Sequence, residues 1–276
     1  MRRDIRLIVS DIDNTLLRSD GSMAPETTAA LERAARAGID TVLASSRTPL
    51  SAGFLLDRVG NLTHMIMLTG CAVRDMKSGE YLYRRSIAPE HAAAILRRAD
   101  ATPDCYFEAC DGERYVLGET SLEHIKSRGR FARYLRDLEP CLDVVPSLAE
   151  HFRGRAVDKM FVYADEDRRL REIIESLPGR DRLNFVSPIP HGCDILPRGA
   201  DKGEALRALL AALSLREEQV AVFGDSENDE AMFLPGALKV AVGNAYPSLK
   251  AKADFVAPTN DENGVAQAID ALLLGS

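Results

Sequence analysis

The chain has 276 residues, of which 46% are hydrophobic and 28% charged, and its formal net charge is −7. It is long enough for one large domain or two ordinary ones, and too apolar for a disordered polymer. Acids and bases are interspersed, so the net negative balance argues against a nucleic-acid partner. The five cysteines, Cys71, Cys105, Cys110, Cys141 and Cys193, are scattered and form no C-x-x-C pair. They suggest neither a zinc knuckle nor a redox pair, and they suit a reducing cytoplasm, which is the expected location. Met1-Arg2-Arg3-Asp4 runs straight into an apolar stretch of about five residues, too short for a signal-peptide core. No apolar run approaches the roughly 20 residues that cross a bilayer, so no membrane partner is expected.

In chain order, Ile5 to Ser10 is a β-branched run that reads as a buried strand ending at Asp11. Pro25 opens a helical pattern that stops at Gly38, and Ile39 to Ala44 is a second strand. Thr48-Pro49 has the form of a helix cap followed by proline at the first helical position. His64 to Leu68 is a third strand. Strands alternating with helices imply parallel pairing and right-handed crossovers.

After residue 70 the pattern changes. Ala72–Asp75 and Tyr81–Arg84 flank a turn at Met76-Lys77-Ser78-Gly79, and Asp111-Gly112 separates a second pair of short strands. Helical stretches follow near 89–99, 121–137 and 165–176, with further strands near 157–163 and 182–186. From about residue 192 the alternation resumes: Asp194 to Leu196 ends a strand, 201–213 is a helix, and strands end at Gly224-Asp225 and Gly243-Asn244. Residues 261–273 form a last amphipathic helix. The expected architecture is an α/β, Rossmann-like parallel-sheet core with helices on both faces, formed by 1–83 and 190–276. An α+β cap spanning 84–189 is inserted into it.

Polar residues stand at the carboxyl ends of several of these strands, the edge where open parallel sheets bind ligands. Asp11 and Asp13 leave the first strand two positions apart, so one carboxylate could attack an electrophile while the other moves protons. Asp225 and Asp229 follow another strand and, with Asp11, are hard oxygen ligands suited to Mg²⁺. Ser45 and Ser46 each offer a hydroxyl to a phosphoryl oxygen, and spacing does not choose between them. Arg47 could reach substrate or face solvent. Lys202 opens a helix, where the dipole disfavours a cation, unless its ammonium offsets crowded carboxylates and a phosphate.

Taken in order, these residues resemble the haloacid dehalogenase-like superfamily of phosphohydrolases. Asp11-Ile12-Asp13-Asn14-Thr15-Leu16-Leu17 is similar to its D-x-D-x-T-L-L motif, Ala44-Ser45-Ser46-Arg47 to A-T-G-R, Asp201-Lys202-Gly203 to the lysine motif, and Gly224-Asp225-Ser226-Glu227-Asn228-Asp229 to G-D-x-x-N-D. The long insertion between the second and third motifs resembles the cap of the Cof-type branch. The resemblance implies that Asp11 is the nucleophile, Asp13 the general acid/base, and Ser45 and Lys202 the phosphate holders, with Ser46 alongside. It places Mg²⁺ on Asp11, Asp225 and the Asp13 carbonyl, with Asp229 and Asn228 close by. Asn14, Ser45 and Ser46 stand where relatives carry glycine, threonine and glycine.

The function implied is Mg²⁺-dependent hydrolysis of a small phosphorylated metabolite, a sugar or polyol phosphate, through an aspartyl-phosphate. The alternatives are a sugar-phosphate phosphomutase and a non-catalytic phosphate-ligand binder. The cap would close over the site and contact the leaving group. His191, Arg153 and Glu108 are candidate substrate contacts that sequence does not separate from surface residues. The remaining histidines, His64, His91, His124 and His151, lack metal-ligand spacing.

Overall fold

The computed structural model describes residues 4–127 and 132–275. Met1-Arg2-Arg3, and positions 128–131 of the helix expected over 121–137, lie outside the described residues. The strands, in chain order, are β1 (Leu7–Ser10), β2 (Asp40–Ala44), β3 (Leu62–Met67), β4 (Ala72–Asp75), β5 (Tyr81–Arg84), β6 (Tyr106–Asp111) and β7 (Arg114–Gly118). They continue with β8 (Leu142–Val145), β9 (Lys159–Tyr163), β10 (Leu183–Val186), β11 (Gly192–Pro197), β12 (Val220–Gly224), β13 (Leu238–Ala241) and β14 (Phe255–Val256). They form an eight-stranded sheet, in the order β14-β13-β12-β1-β2-β3-β4-β5, and a six-stranded sheet, in the order β10-β11-β9-β6-β7-β8.

The first unit comprises 1–46, 53–83 and 201–276. From β14 to β3 its sheet is parallel, and β4 adds antiparallel to β3. Every residue of β1 is buried, as both faces of a parallel sheet require. Leu7, Val9, Val42, Ile66 and Val222 pack on one face with Leu206, Leu209 and Leu210 of the helix Lys202–Leu213. Each such buried aliphatic side chain contributes about 1.5–3 kcal/mol. The hairpin expected after residue 70 supplies β4 and the edge strand β5.

The second unit comprises 47–52 and 84–200. Its sheet is antiparallel except where β8 runs parallel to β7. Ile95, Leu96, Leu170 and Ile173, from helices Pro89–Asp100 and Asp167–Ser176, pack on one face against Phe107, Val116, Val162 and Ile195. The opposite face carries Tyr106, Leu117, Phe161 and Tyr163 with Ile125. Buried Asp158 accepts hydrogen bonds from Arg84, Ser86 and the Gly112 N–H, tying the start of the long segment to the β6–β7 turn.

Several boundaries differ from the sequence reading. The return to the core falls at 200/201 rather than 190, because β11 pairs antiparallel with both β9 and β10 and so belongs to the second sheet. The strand ending at Asp194 to Leu196, expected to resume the core, is this β11, and its register places it in the second sheet. The helix expected directly after Thr48-Pro49 is a turn, followed by the short helix Gly53–Leu56. There the Ser51 hydroxyl accepts the Thr48 N–H and donates to the Thr48 carbonyl, side-chain-to-backbone bonds that close the turn. Among the described residues, the stretch expected as one helix over 121–137 carries the helices Glu119–Lys126 and Ala132–Leu138, and the last helix starts at Gly264, after a turn at Asn260–Glu262. Among the described residues no helix is long and apolar enough to cross a membrane. All five cysteines are buried, and none of them forms a disulfide.

Candidate active site

The parallel register brings distant residues to one edge of the first sheet. Ser10 pairs with Leu43 of β2 and with Phe223 of β12, so Asp11, Ser45 and Asp225 lie just beyond adjacent strand ends. The Asp11 N–H donates to the Phe223 carbonyl at 3.0 Å, carrying the pairing one residue further.

Beyond β1 the chain makes one wide turn, closed by the Leu17 N–H on the Ile12 carbonyl at 2.9 Å. Asp13 is extended there, and Asn14 is left-handed at φ 62°. Asparagine tolerates that conformation better than other non-glycine residues. The same turn buries Thr15, whose Oγ1 donates to Asp225 Oδ1 at 2.9 Å across 210 positions of sequence.

Lys202 enters from a third element. Asp201 caps its helix by accepting the Glu204 N–H at 2.8 Å. The lysine is fully buried, with Nζ 2.6 Å from Asp11 Oδ1 and 2.7 Å from Asp229 Oδ1. Asn228 Oδ1 lies 3.5 Å from the same ammonium and also accepts the Ser226 hydroxyl at 2.8 Å. The other oxygen of Asp229 accepts the Asp225 and Ser226 N–H groups at 3.0 and 3.1 Å, folding the loop after β12 over its own carboxylate.

Among the described residues, Asp11, Asp225 and Asp229 form a group whose carboxylate oxygens lie within 4.8 Å of one another. Three carboxylates against one ammonium leave a buried excess of negative charge. Burial pushes the Asp11 carboxyl well above its usual range, with Asp229 and Asp225 adding to the effect and Lys202 opposing it. Burial and Asp229 push Asp225 up to about 6. For Lys202 burial acts in the opposite sense, but Asp11 and Asp229 outweigh it and the net shift is upward. A hard divalent cation fits this all-oxygen donor set and its charge.

Two glycines let these parts approach. Leu68, Thr69 and Gly70 are successively at positive φ, 52°, 58° and 94°. A Cβ on Gly70 would collide with the backbone of Asp201 and Lys202, and one on Gly203 would strike the Ala231 carbonyl. Gly70→Ala is expected to lower stability by about 2–4 kcal/mol, combining overpacking with left-handed strain. It should also lower turnover, because Lys202 must move. Urea unfolding and steady-state rates check both effects, and an unchanged unfolding midpoint would refute the packing argument.

Of the residues singled out from sequence, the structure joins Asp11, Lys202, Asn228, Asp225 and Asp229. Ser45 is buried at the end of β2, its N–H on the Ile66 carbonyl and its carbonyl taking the Thr69 N–H. Ser46 follows half-buried, and so is Asp13, whose carboxylate is outside the three-carboxylate group. Arg47 falls in the second unit, where Nη2 lies 3.1 Å from Asp137 Oδ2 and Nη1 donates to the Ser51 carbonyl. Of the candidate substrate contacts, Glu108 is buried and accepts the Tyr106 and Tyr134 hydroxyls, each at 2.6 Å. Arg153 is exposed, and His191 lies 2.8 Å from Asp167. Thr15 and Ser226 were missed; their signal was position, a hydroxyl close after each acidic strand end.

The chain matches the family described as haloacid dehalogenase-like hydrolase over residues 8–269. It belongs to that family. The chain is similar to a Bacillus subtilis protein named 5-amino-6-(5-phospho-D-ribitylamino)uracil phosphatase YwtE, 28% identical with 98% of this chain and 99% of the relative covered. It is also similar to an HMP-PP phosphatase of Klebsiella pneumoniae, 28% identical over 90% of this chain and 87% of the relative. Among solved structures, a haloacid dehalogenase-like hydrolase from B. subtilis superposes with a TM-score of 0.84 at 27% identity, covering 98% of this chain and 100% of the other.

Proposed function

We propose that this hydrolase is a magnesium-dependent phosphatase acting on a small phosphorylated metabolite, a sugar or polyol phosphate, through an aspartyl-phosphate on Asp11. The observation that carries this reading is the Lys202 ammonium 2.6 Å from the Asp11 carboxylate, inside a buried cluster with Asp225 and Asp229. A pure phosphate binder has no use for a buried carboxylate aimed at its own anion. A nucleophile does, provided cations suppress the repulsion.

In the first step an oxygen of Asp11 attacks phosphorus and the ester P–O bond breaks, while Asp13 gives its proton to the departing oxygen. In the second, water attacks phosphorus, Asp13 takes the water proton, and the P–O bond to Asp11 breaks to release phosphate. Ser45 and Lys202 hold the phosphoryl oxygens throughout, with Ser46 next along the loop. Asp11, Asp225 and the Asp13 carbonyl would hold Mg²⁺, which when bound neutralises phosphoryl charge. Asp229, both of whose oxygens are engaged, sets Lys202 and the loop after β12 in place. The inserted unit carries substrate selection. The YwtE relative is named for a phosphate on a ribityl chain, which is a polyol, and this supports the substrate class.

The test is a screen of phosphorylated sugars and polyols with Mg²⁺ supplied or chelated. Phosphate release that chelation abolishes is the expected result. Release that persists unchanged in excess chelator would remove the metal from the proposal, and no release from any phosphomonoester would remove the reaction.

A further inference from the structure

One polar strand end, Gly243-Asn244, has no part in the proposed reaction. It stands on the same sheet edge as Asp225, because β13 runs parallel to β12 and the Val242 N–H donates to the Gly224 carbonyl at 3.2 Å. β14 pairs beside β13, and the chain beyond it reaches Asn260.

These two asparagines hold the turn that follows Asp11. Asn244 Nδ2 donates to the Asn14 carbonyl at 2.8 Å, and its Oδ1 accepts the Asn260 N–H at 2.9 Å. Asn260 is buried, and its Nδ2 donates to the Leu17 carbonyl at 2.9 Å. Leu17 is also the residue whose N–H closes the turn on Ile12. The turn is therefore gripped at Asn14 and at Leu17 by residues 230 and 243 positions away, all within the first unit.

The Asn244 amide has one sense only. Turned over, its NH₂ would face the Asn260 N–H and its oxygen the Asn14 carbonyl, two repulsions in place of two bonds. The turn needs such a hold, since a left-handed non-glycine residue persists where its surroundings over-determine it. Asn14 is left-handed and exposed, and Asp13 beside it is extended. Where the Asn14 carbonyl is pinned, the backbone of Asp13 is pinned one residue earlier, and the bond from Thr15 to Asp225 holds the other side.

We infer that Asn244 and Asn260 are positioning residues for Asp13, fixing the turn so that its carboxyl group meets the departing ester oxygen. The inference rests on the reaction proposed above. Neither asparagine takes up or gives a proton; the proton still passes from Asp13 to the ester oxygen as the P–O bond breaks.

Phenyl phosphate and 4-nitrophenyl phosphate, of like shape, separate this role from a structural one when Mg²⁺ is supplied. The ratio kcat/KM covers only the steps through departure of the phenol, and nitrophenolate leaves readily without a proton whereas phenolate gains from one. Asn244→Ala should lower kcat/KM about tenfold or more for phenyl phosphate and less than about threefold for 4-nitrophenyl phosphate. Asn244→Asp keeps the acceptor for the Asn260 N–H but loses the donor to Asn14, and should show the same bias. Asn244 is exposed, so both variants should unfold in urea near the native midpoint. Asn260→Ala removes a buried contact and should show the bias together with a lower midpoint. Equal loss on the two esters in the Asn244 variants, or no loss on either, would overturn the inference and leave the phosphatase reading standing. Absence of release by the native chain from both esters would overturn the reaction and this inference with it.

Discussion

Asp11→Asn is expected to abolish phosphate release, lowering kcat by on the order of 10⁴-fold or more, as removal of a covalent nucleophile does. The amide keeps the shape of the carboxylate but cannot form the aspartyl-phosphate. Folding should survive. Lys202 keeps Asp229 as its partner at 2.7 Å, and the change removes one of three carboxylates crowded within 4.8 Å. The variant should therefore unfold in urea at or near the native midpoint. The two readouts separate a chemical role from a structural one. Native and variant proteins releasing phosphate equally would exclude Asp11 as the nucleophile, and a variant that fails to fold would point to a structural carboxylate.

Lys202→Met should harm both stability and turnover, and the expected pattern differs in kind. The lysine is fully buried, and its ammonium is bonded to two carboxylates that are themselves almost wholly withdrawn from water. Removing one partner of a buried ion pair leaves uncompensated charge, at a cost of about 3–5 kcal/mol. That is a large share of the roughly 5–15 kcal/mol by which domains are stable. Turnover should fall about 10²–10³-fold, the loss typical when one group that stabilises developing charge is removed. Adding Mg²⁺ should restore part of the stability and little of the rate, because a cation among the carboxylates replaces charge but not the lysine's position. Equal unfolding midpoints for native and Lys202→Met, with and without the metal, would show that this pair does not hold the cluster together.

Much of this centre was legible in the residues. Asp11 and Asp225 each follow a fully buried apolar strand, and a parallel sheet leaves such strand ends on one edge. Lys202 was conspicuous because a lysine at a helix start is electrostatically misplaced unless something nearby requires it. The α/β alternation of the first 70 residues and the Asp111-Gly112 hairpin could be read for the same reason: short-range patterns of burial and turn chemistry repeat the tertiary environment locally.

Other features were not legible. Nothing local to Gly192–Pro197 tells a core strand from a strand of the second sheet, since both are buried and apolar. Only the register against β9 and β10 decides it. Glu108 is a candidate substrate contact that sequence does not separate from a surface residue; the structure buries it and sets the hydroxyls of Tyr106 and of Tyr134, from a separate helix, on its carboxylate. Arg47, two residues past Ser45, was a candidate for substrate, and the structure occupies it with Asp137, 90 positions away.

By itself the sequence determined the class of fold, the order of the chemical groups and the edge of the sheet on which they stand, because strand and helix periodicity and the ends of those elements are local properties. The tertiary structure alone decided which oxygen faces which nitrogen, that Thr15 holds Asp225, that Asp229 spends both its oxygens on neighbours, and where the inserted unit ends. Those outcomes depend on contacts across some two hundred positions, and contact over such separations is set by packing and register rather than by any neighbouring residue.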